Sequence, residues 1–112
     1  MSKKGQLNWV FAHGDKPEFQ GYEEITVTNL NEVPAHLTFD LYFEDREPLK
    51  GLTYTLGAER VFCFKLDKPF CDQEYNIPFC KYSLVLHSDL PVVASFLRQT
   101  NATCYNVQGY CY

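Results

Sequence analysis

Residues Ala35 to Phe43 alternate without a break: Ala35, Leu37, Phe39, Leu41 and Phe43 fall on one side of an extended chain, His36, Thr38, Asp40 and Tyr42 on the other. A period of two, rich in aromatic and β-favouring residues, cannot gather its apolar set on one helical face and predicts a half-buried strand. The charged turn Glu44-Asp45-Arg46-Glu47-Pro48 ends it, because Pro48 supplies no ladder donor and the charges prefer water.

The same alternation recurs along the chain. Leu7, Trp9 and Phe11 alternate with Asn8, Val10 and Ala12 in a first strand that stops at the turn-rich His13-Gly14-Asp15-Lys16-Pro17. A second strand spans Tyr22 to Asn29, with Ile25 and Val27 inward and Glu24, Thr26 and Thr28 outward. The turn from Asn29 to Pro34 predicts that it pairs directly with the strand from Ala35. Leu52 to Leu56 and Arg60 to Leu66 read as a hairpin about Gly57-Ala58-Glu59, and Asp67 to Phe79, with Pro69 and Pro78, reads as an irregular stretch wrapping a sheet edge.

Tyr82 to Ser88 and Val92 to Thr100 read as two strands joined by Ser88-Asp89-Leu90-Pro91. The VVASFL segment is apolar on both faces, which predicts cover on both sides, either centrally or at a subunit interface. The tail from Ala102 offers one more strand, Cys104 to Val107. Short strands at regular spacing, with no helical pattern and no repeat, predict an all-β, antiparallel β-sandwich of jelly-roll type.

Length and charge narrow the function. The 112 residues make a single domain, 1–112, with 46% hydrophobic and 16% aromatic residues, well beyond a disordered composition. A net charge of -4, with basic residues scattered rather than striped, argues against a nucleic-acid partner. The N-terminus has no apolar run of signal-peptide length and no later run approaches a membrane span, so a cytoplasmic location is expected. The five cysteines, Cys63, Cys71, Cys80, Cys104 and Cys111, leave three readings open: free thiols, a disulfide framework or a metal site. The close C-x2-C spacing that zinc sites usually have is missing, and nothing in the pattern asks for a metal or cofactor.

Candidate chemistry is sparse. His13 lies in a turn, whereas His36 and His87 lie on strands, where solvated or hydrogen-bonded imidazoles are the plain expectation. Glu18, Glu23 and Glu24 could serve as general acids or simply as solvated strand carboxylates. Glu44, Asp45 and Arg46 form either a partner-recognition loop or a solvated strand end. Arg98 interrupts the most apolar strand and must reach solvent or meet a buried partner, for which Glu24 is the cross-sheet candidate. An aromatic face and a fixed guanidinium suit a sugar or carboxylate, which makes Trp9, His13 and Arg98 the candidate ligand contacts.

Taken in order, these residues resemble the family of the small soluble transducer of cyanobacterial sensory rhodopsin. The resemblance runs over about ninety residues: Trp9, Gly14, Glu24-Ile25, Asn29, Ala35, Pro48, Arg60, Ile77-Pro78, Tyr82-Ser83, Ser88-Asp89-Leu90-Pro91-Val92-Val93 and Arg98. It implies a cytosolic all-β sandwich assembled as a homotetramer, acting by binding rather than by chemistry. It also implies a membrane receptor or a small polar ligand, sugars among the candidates, as the partner. After Arg98 this chain reads Gln99-Thr100-Asn101, where the family typically has an Asp, a small hydroxyl residue and a Gln.

Overall fold

The computed structural model describes residues 5–15, 21–78, 80–100 and 104–112, without the side chain of Tyr105. Glu18 and Asn101-Ala102-Thr103, a sequence of glycosylation-acceptor type, lie outside them. The described residues form eight strands: β1 (Gln6–Asp15), β2 (Tyr22–Asn29), β3 (Ala35–Phe43), β4 (Leu49–Leu56), β5 (Arg60–Lys65), β6 (Lys81–Gln99), β7 (Cys104–Val107) and β8 (Tyr110–Cys111). All pairings are antiparallel, and no helix occurs among the described residues. The all-β sandwich expected from the alternation is the observed fold class.

One sheet runs β4-β3-β6-β1-β8, while β2 lies between β5 and the far half of β6, with β7 on the other side of β6. The two layers therefore share β6, a 19-residue strand. Its first half pairs with β3 up to Ser88 and with β1 up to Val92, and from Val93 onward it pairs with β2. This corrects the reading of Ser88-Asp89-Leu90-Pro91 as a turn between two strands. Pro91, which has no N–H to donate, sits where the chain leaves one ladder for the other. There the Asn31 side chain donates to Pro91 O at 2.8 Å and the Trp9 indole N–H donates to Val92 O at 3.0 Å.

Two expected hairpins are instead crossings between the layers. β2 pairs with β5 and β6, while β3 pairs with β4 and β6, so the segment from Leu30 to Pro34 carries the chain from one sheet to the other. The Gly57-Ala58-Glu59 turn likewise joins β4 and β5, which lie in different sheets. Asn29, fully buried, fastens the two crossings: its amide donates towards Val33 O, Leu56 O and Gly57 O at 3.0, 3.3 and 3.1 Å, and its Oδ1 accepts from Asn31 N at 3.0 Å. Residues 67 to 78 of the irregular stretch do wrap an edge, as the pattern implied, while Phe79 lies outside the described residues. Asp72 N–H donates to Thr53 O at 2.8 Å and Thr53 N–H donates to Gln73 Oε1 at 2.9 Å, closing the outer side of β4.

The core lies between the layers. Phe39, Leu37 and Leu41 of β3 meet Ile25, Val27, Phe64 and Phe96 of the opposite sheet, and Phe39 contacts the Phe64 ring edge-on at 5.0 Å between centroids. Beyond the core, Val93 is 42% exposed and Val61 60% exposed, so the second face of the VVASFL segment is open in the single chain.

Candidate functional site

The first strand does not stop at His13. A register shift between Phe11 and Gly14 lets it continue to Asp15, with Gly14 opposite Tyr82 and Asp15 opposite Lys81. Gly14 is required here by space: a Cβ would lie 2.4 Å from the Tyr82 ring. The shift brings the backbone of residues 13 to 15 against one end of the sandwich.

At that end the alternation of the other sheet delivers two charges inward. In β2, Ile25 and Val27 face the core, and Glu23, of the same parity, does too; in β6, Val92, Ala94 and Phe96 face inward, and so does Arg98. The ladder sets Glu23 directly opposite Arg98. Arg98 therefore pairs with Glu23, its Nε and Nη2 at 2.8 and 2.7 Å from Oε2, and not with Glu24 as the sequence suggested. Glu24 faces the outer side, where the Cys63 thiol donates to it.

Glu23 is 2% exposed and holds both sheets. Its carboxylate accepts from Tyr82 OH at 2.7 Å and from Asp15 N–H at 2.9 Å, while Arg98 Nη2 also donates to His13 O. Burial pushes the Glu23 carboxyl above its ordinary value, with the bonds from Tyr82, Arg98 and Asp15 acting in the opposite direction. The Tyr82 hydroxyl is raised as well, first by burial and then by the Glu23 charge. Sequence reasoning missed Tyr82, Lys81 and the part Glu23 plays, although the inward parity shared by Arg98 and Glu23 carried the signal.

Against this cluster lies a cavity of about 260 Å³ lined by Ala12, His13, Gly14, Asp15, Lys81 and Arg98. Two of the three proposed ligand contacts, His13 and Arg98, thus share one wall. Trp9 is not among the lining residues: its ring stacks on Phe11 with 6.3 Å between centroids, and its N–H is taken by Val92 O. Its lining offers the Lys81 ammonium, the Asp15 carboxylate and the edge of an Arg98 guanidinium whose charge Glu23 balances, a set suited to a small, strongly polar group.

The loop after β3 is separate. Glu44, Asp45 and Arg46 are all exposed. Arg46 Nε donates to Asp45 Oδ1 at 3.0 Å and its guanidinium lies 5.4 Å from the Phe43 ring centroid, and this partner holds the Asp45 carboxyl below its usual range. The strand histidines are hydrogen-bonded, His36 to Asp89 at 2.8 Å, and His87 to Asn8 at 2.8 Å and to Asp40 at 3.2 Å. All five cysteines are unbridged, and no group of three His, Cys, Asp or Glu side chains among the described residues could hold a metal.

Two antiparallel sheets sharing one long strand, with a charged cluster closing one end over a polar cavity, define a small β-sandwich domain. The chain belongs to the Anabaena sensory rhodopsin transducer family, whose model matches residues 4–108. The solved structure of the Anabaena sensory rhodopsin transducer is similar, with a TM-score of 0.75 at 21% identity over 85% of this chain and 89% of that one. So is that of Thermotoga maritima 1070, with a TM-score of 0.81 at 22% identity over 96% of each chain. No curated protein matches the chain.

Proposed function

We propose that this protein is a non-enzymatic cytosolic binding and signal-relay protein, which holds a small polar ligand between Lys81, Arg98 and His13. The observation that carries the reading is the Glu23–Arg98 pair, which fixes a guanidinium at the cavity wall and ties it to both sheets. Occupancy of the cavity would then be felt by β1, β2 and β6 together, as a relay requires. Family membership supports the same class, because the family is named for a transducer. The exposed Glu44-Asp45-Arg46 loop is the surface we assign to a protein partner such as a membrane receptor.

A second reading, a small-molecule or carbohydrate-binding sandwich with no rhodopsin partner, rests on the polar lining of the cavity alone. Thermal melts with citrate and with galactose separate the ligand classes. A ligand at about a hundred times its Kd stabilises by about 2.7 kcal/mol, a rise of several degrees. That rise in the native protein and its loss in Lys81→Ala support the site, whereas no rise with either compound counts against it.

We further propose a homotetramer. Val61, Thr28 and Val93 lie side by side across β5, β2 and β6 on an uncharged stretch of outer face, which association would cover. Sedimentation equilibrium should give a mass near four times 13.0 kDa, and a 13.0 kDa particle at micromolar concentration contradicts it.

A further inference from the structure

A second cavity, sharing no residue with the first, opens where the edges of the two sheets meet. Its volume is about 350 Å³, within the range of small-ligand sites. Tyr54 of β4 and Phe62 of β5 form its aromatic floor, backed by the buried rings of Phe64 of β5 and Phe70 of the following loop. Tyr54 and Phe62 stack at 4.9 Å and 28°, Phe64 meets both edge-on at 5.0 and 4.7 Å, and Phe62 keeps 40% of its surface exposed. Such a surface presents ring faces and edges to a planar guest.

The polar groups of the wall come from two sources. Leu66 N–H donates to Glu23 O, which sets the phase of the β2–β5 ladder. Phe62 and Phe64 therefore turn their main-chain groups towards β2, and Cys63 turns its N–H and C=O to the outer edge of β5, along which the cavity runs. The loop supplies one cation and one anion, Lys68 and Glu74, both exposed. Lys65 also borders the cavity, but its ammonium lies over the Tyr22 ring at 5.2 Å.

The lip is held in an unusual shape. Among the described residues, two of the three non-glycine positions with positive φ, Cys71 at 66° and Glu74 at 49°, line this cavity. The Phe70–Tyr75 bridge and the bonds of Asp72 and Gln73 to Thr53 keep them there. Backbone strain stabilised by its surroundings is concentrated at ligand sites.

We propose that this cavity is a binding site for a small aromatic zwitterion with the chemistry of an aromatic amino acid. Its ring lies on Tyr54 and Phe62, its carboxylate meets Lys68 and the Cys63 N–H, and its ammonium meets Glu74 and the Cys63 carbonyl. One cation, one anion and a donor–acceptor pair beside an aromatic floor complement that head group better than a simple acid or amine. The site stands apart from the Arg98 cavity, so either can fail without the other.

The test is an amide NMR titration of the full chain with L-phenylalanine, phenylpropionate, which lacks the ammonium, and phenethylamine, which lacks the carboxylate. L-phenylalanine is expected to move the amides of Phe62, Cys63 and residues 68 to 74 in a saturable way. The two truncated compounds should bind about tenfold more weakly, the loss expected from one unpaired charged hydrogen bond. Lys68→Ala should reduce L-phenylalanine to the level of phenethylamine, and Glu74→Gln to that of phenylpropionate, with Phe62→Ser abolishing all binding. Both rim residues are exposed, so their variants keep the fold. Equal binding of the three compounds, shifts confined to other residues, or no saturation by about 10 mM, a Kd typical of non-specific contact, overturns the proposal.

Discussion

Glu23 shows how one side chain can belong to both structure and site. Taking its carboxylate out of water is costly, and Arg98, Tyr82 and the Asp15 N–H offset that cost only while all are in place. Arg98→Ala should therefore lower stability by about 3–5 kcal/mol, the loss typical of breaking a buried pair. Arg98→Lys keeps the charge but loses the planar fork, and should cost about 1.5–3 kcal/mol in urea denaturation. Equal stability of Arg98→Ala and the native protein would contradict the pairing. Because the folded Glu23 carboxyl lies above its ordinary value of 4.5, its contribution is fully present below that pH and is lost as pH rises through the folded value. The stability difference between the native protein and Glu23→Gln, measured from pH 4 upward, should show that fall and then level off. Asn29 is the comparable residue at the crossings, where Asn29→Ala strands the buried Leu56 carbonyl and leaves the part-buried carbonyls of Val33 and Gly57 without this donor, and should cost roughly 1–3 kcal/mol.

At the scale of elements, β6 organises the molecule because it is the strand common to both layers. Its even-numbered residues, from Tyr82 through Leu84, Leu86, Val92 and Phe96 to Arg98, point inward without a change of phase. That unbroken parity was present in the sequence, but Pro91 suggested a stop, since proline is usually a break unless the strand is changing partners. The faces of β2 and β3 were likewise legible, because alternation reports which side is buried. Their partners were not legible: a short turn such as Gly57-Ala58-Glu59 can close a hairpin or cross between layers, and only packing of the whole chain decides. For the site, His13 and Arg98 could be read as candidates, whereas Lys81 joins them only through the register shift in β1. Phe39 packs edge-on against both Phe64 and Phe70, at 5.0 and 6.0 Å, so it links the two layers and the wrapping loop. Phe39→Ala should cost about 3–5 kcal/mol, enough to unfold a marginal domain, and a native-like urea midpoint would be inconsistent with that packing.

For the molecule as a whole, the fold places a charged cluster at one end of the sandwich and leaves an uncharged stretch of sheet face open. A binding protein that relays its state needs both features, a site whose occupancy touches several strands and a surface through which copies or partners meet. The most direct measurement is an amide NMR titration of the native protein with citrate, followed residue by residue. Saturable shifts at His13, Gly14, Asp15, Lys81 and Arg98, weakened in Lys81→Ala while its melting temperature holds, are the predicted result. Shifts that do not saturate, or that fall elsewhere and leave these five residues unmoved, would contradict the assignment of this cavity as the binding site.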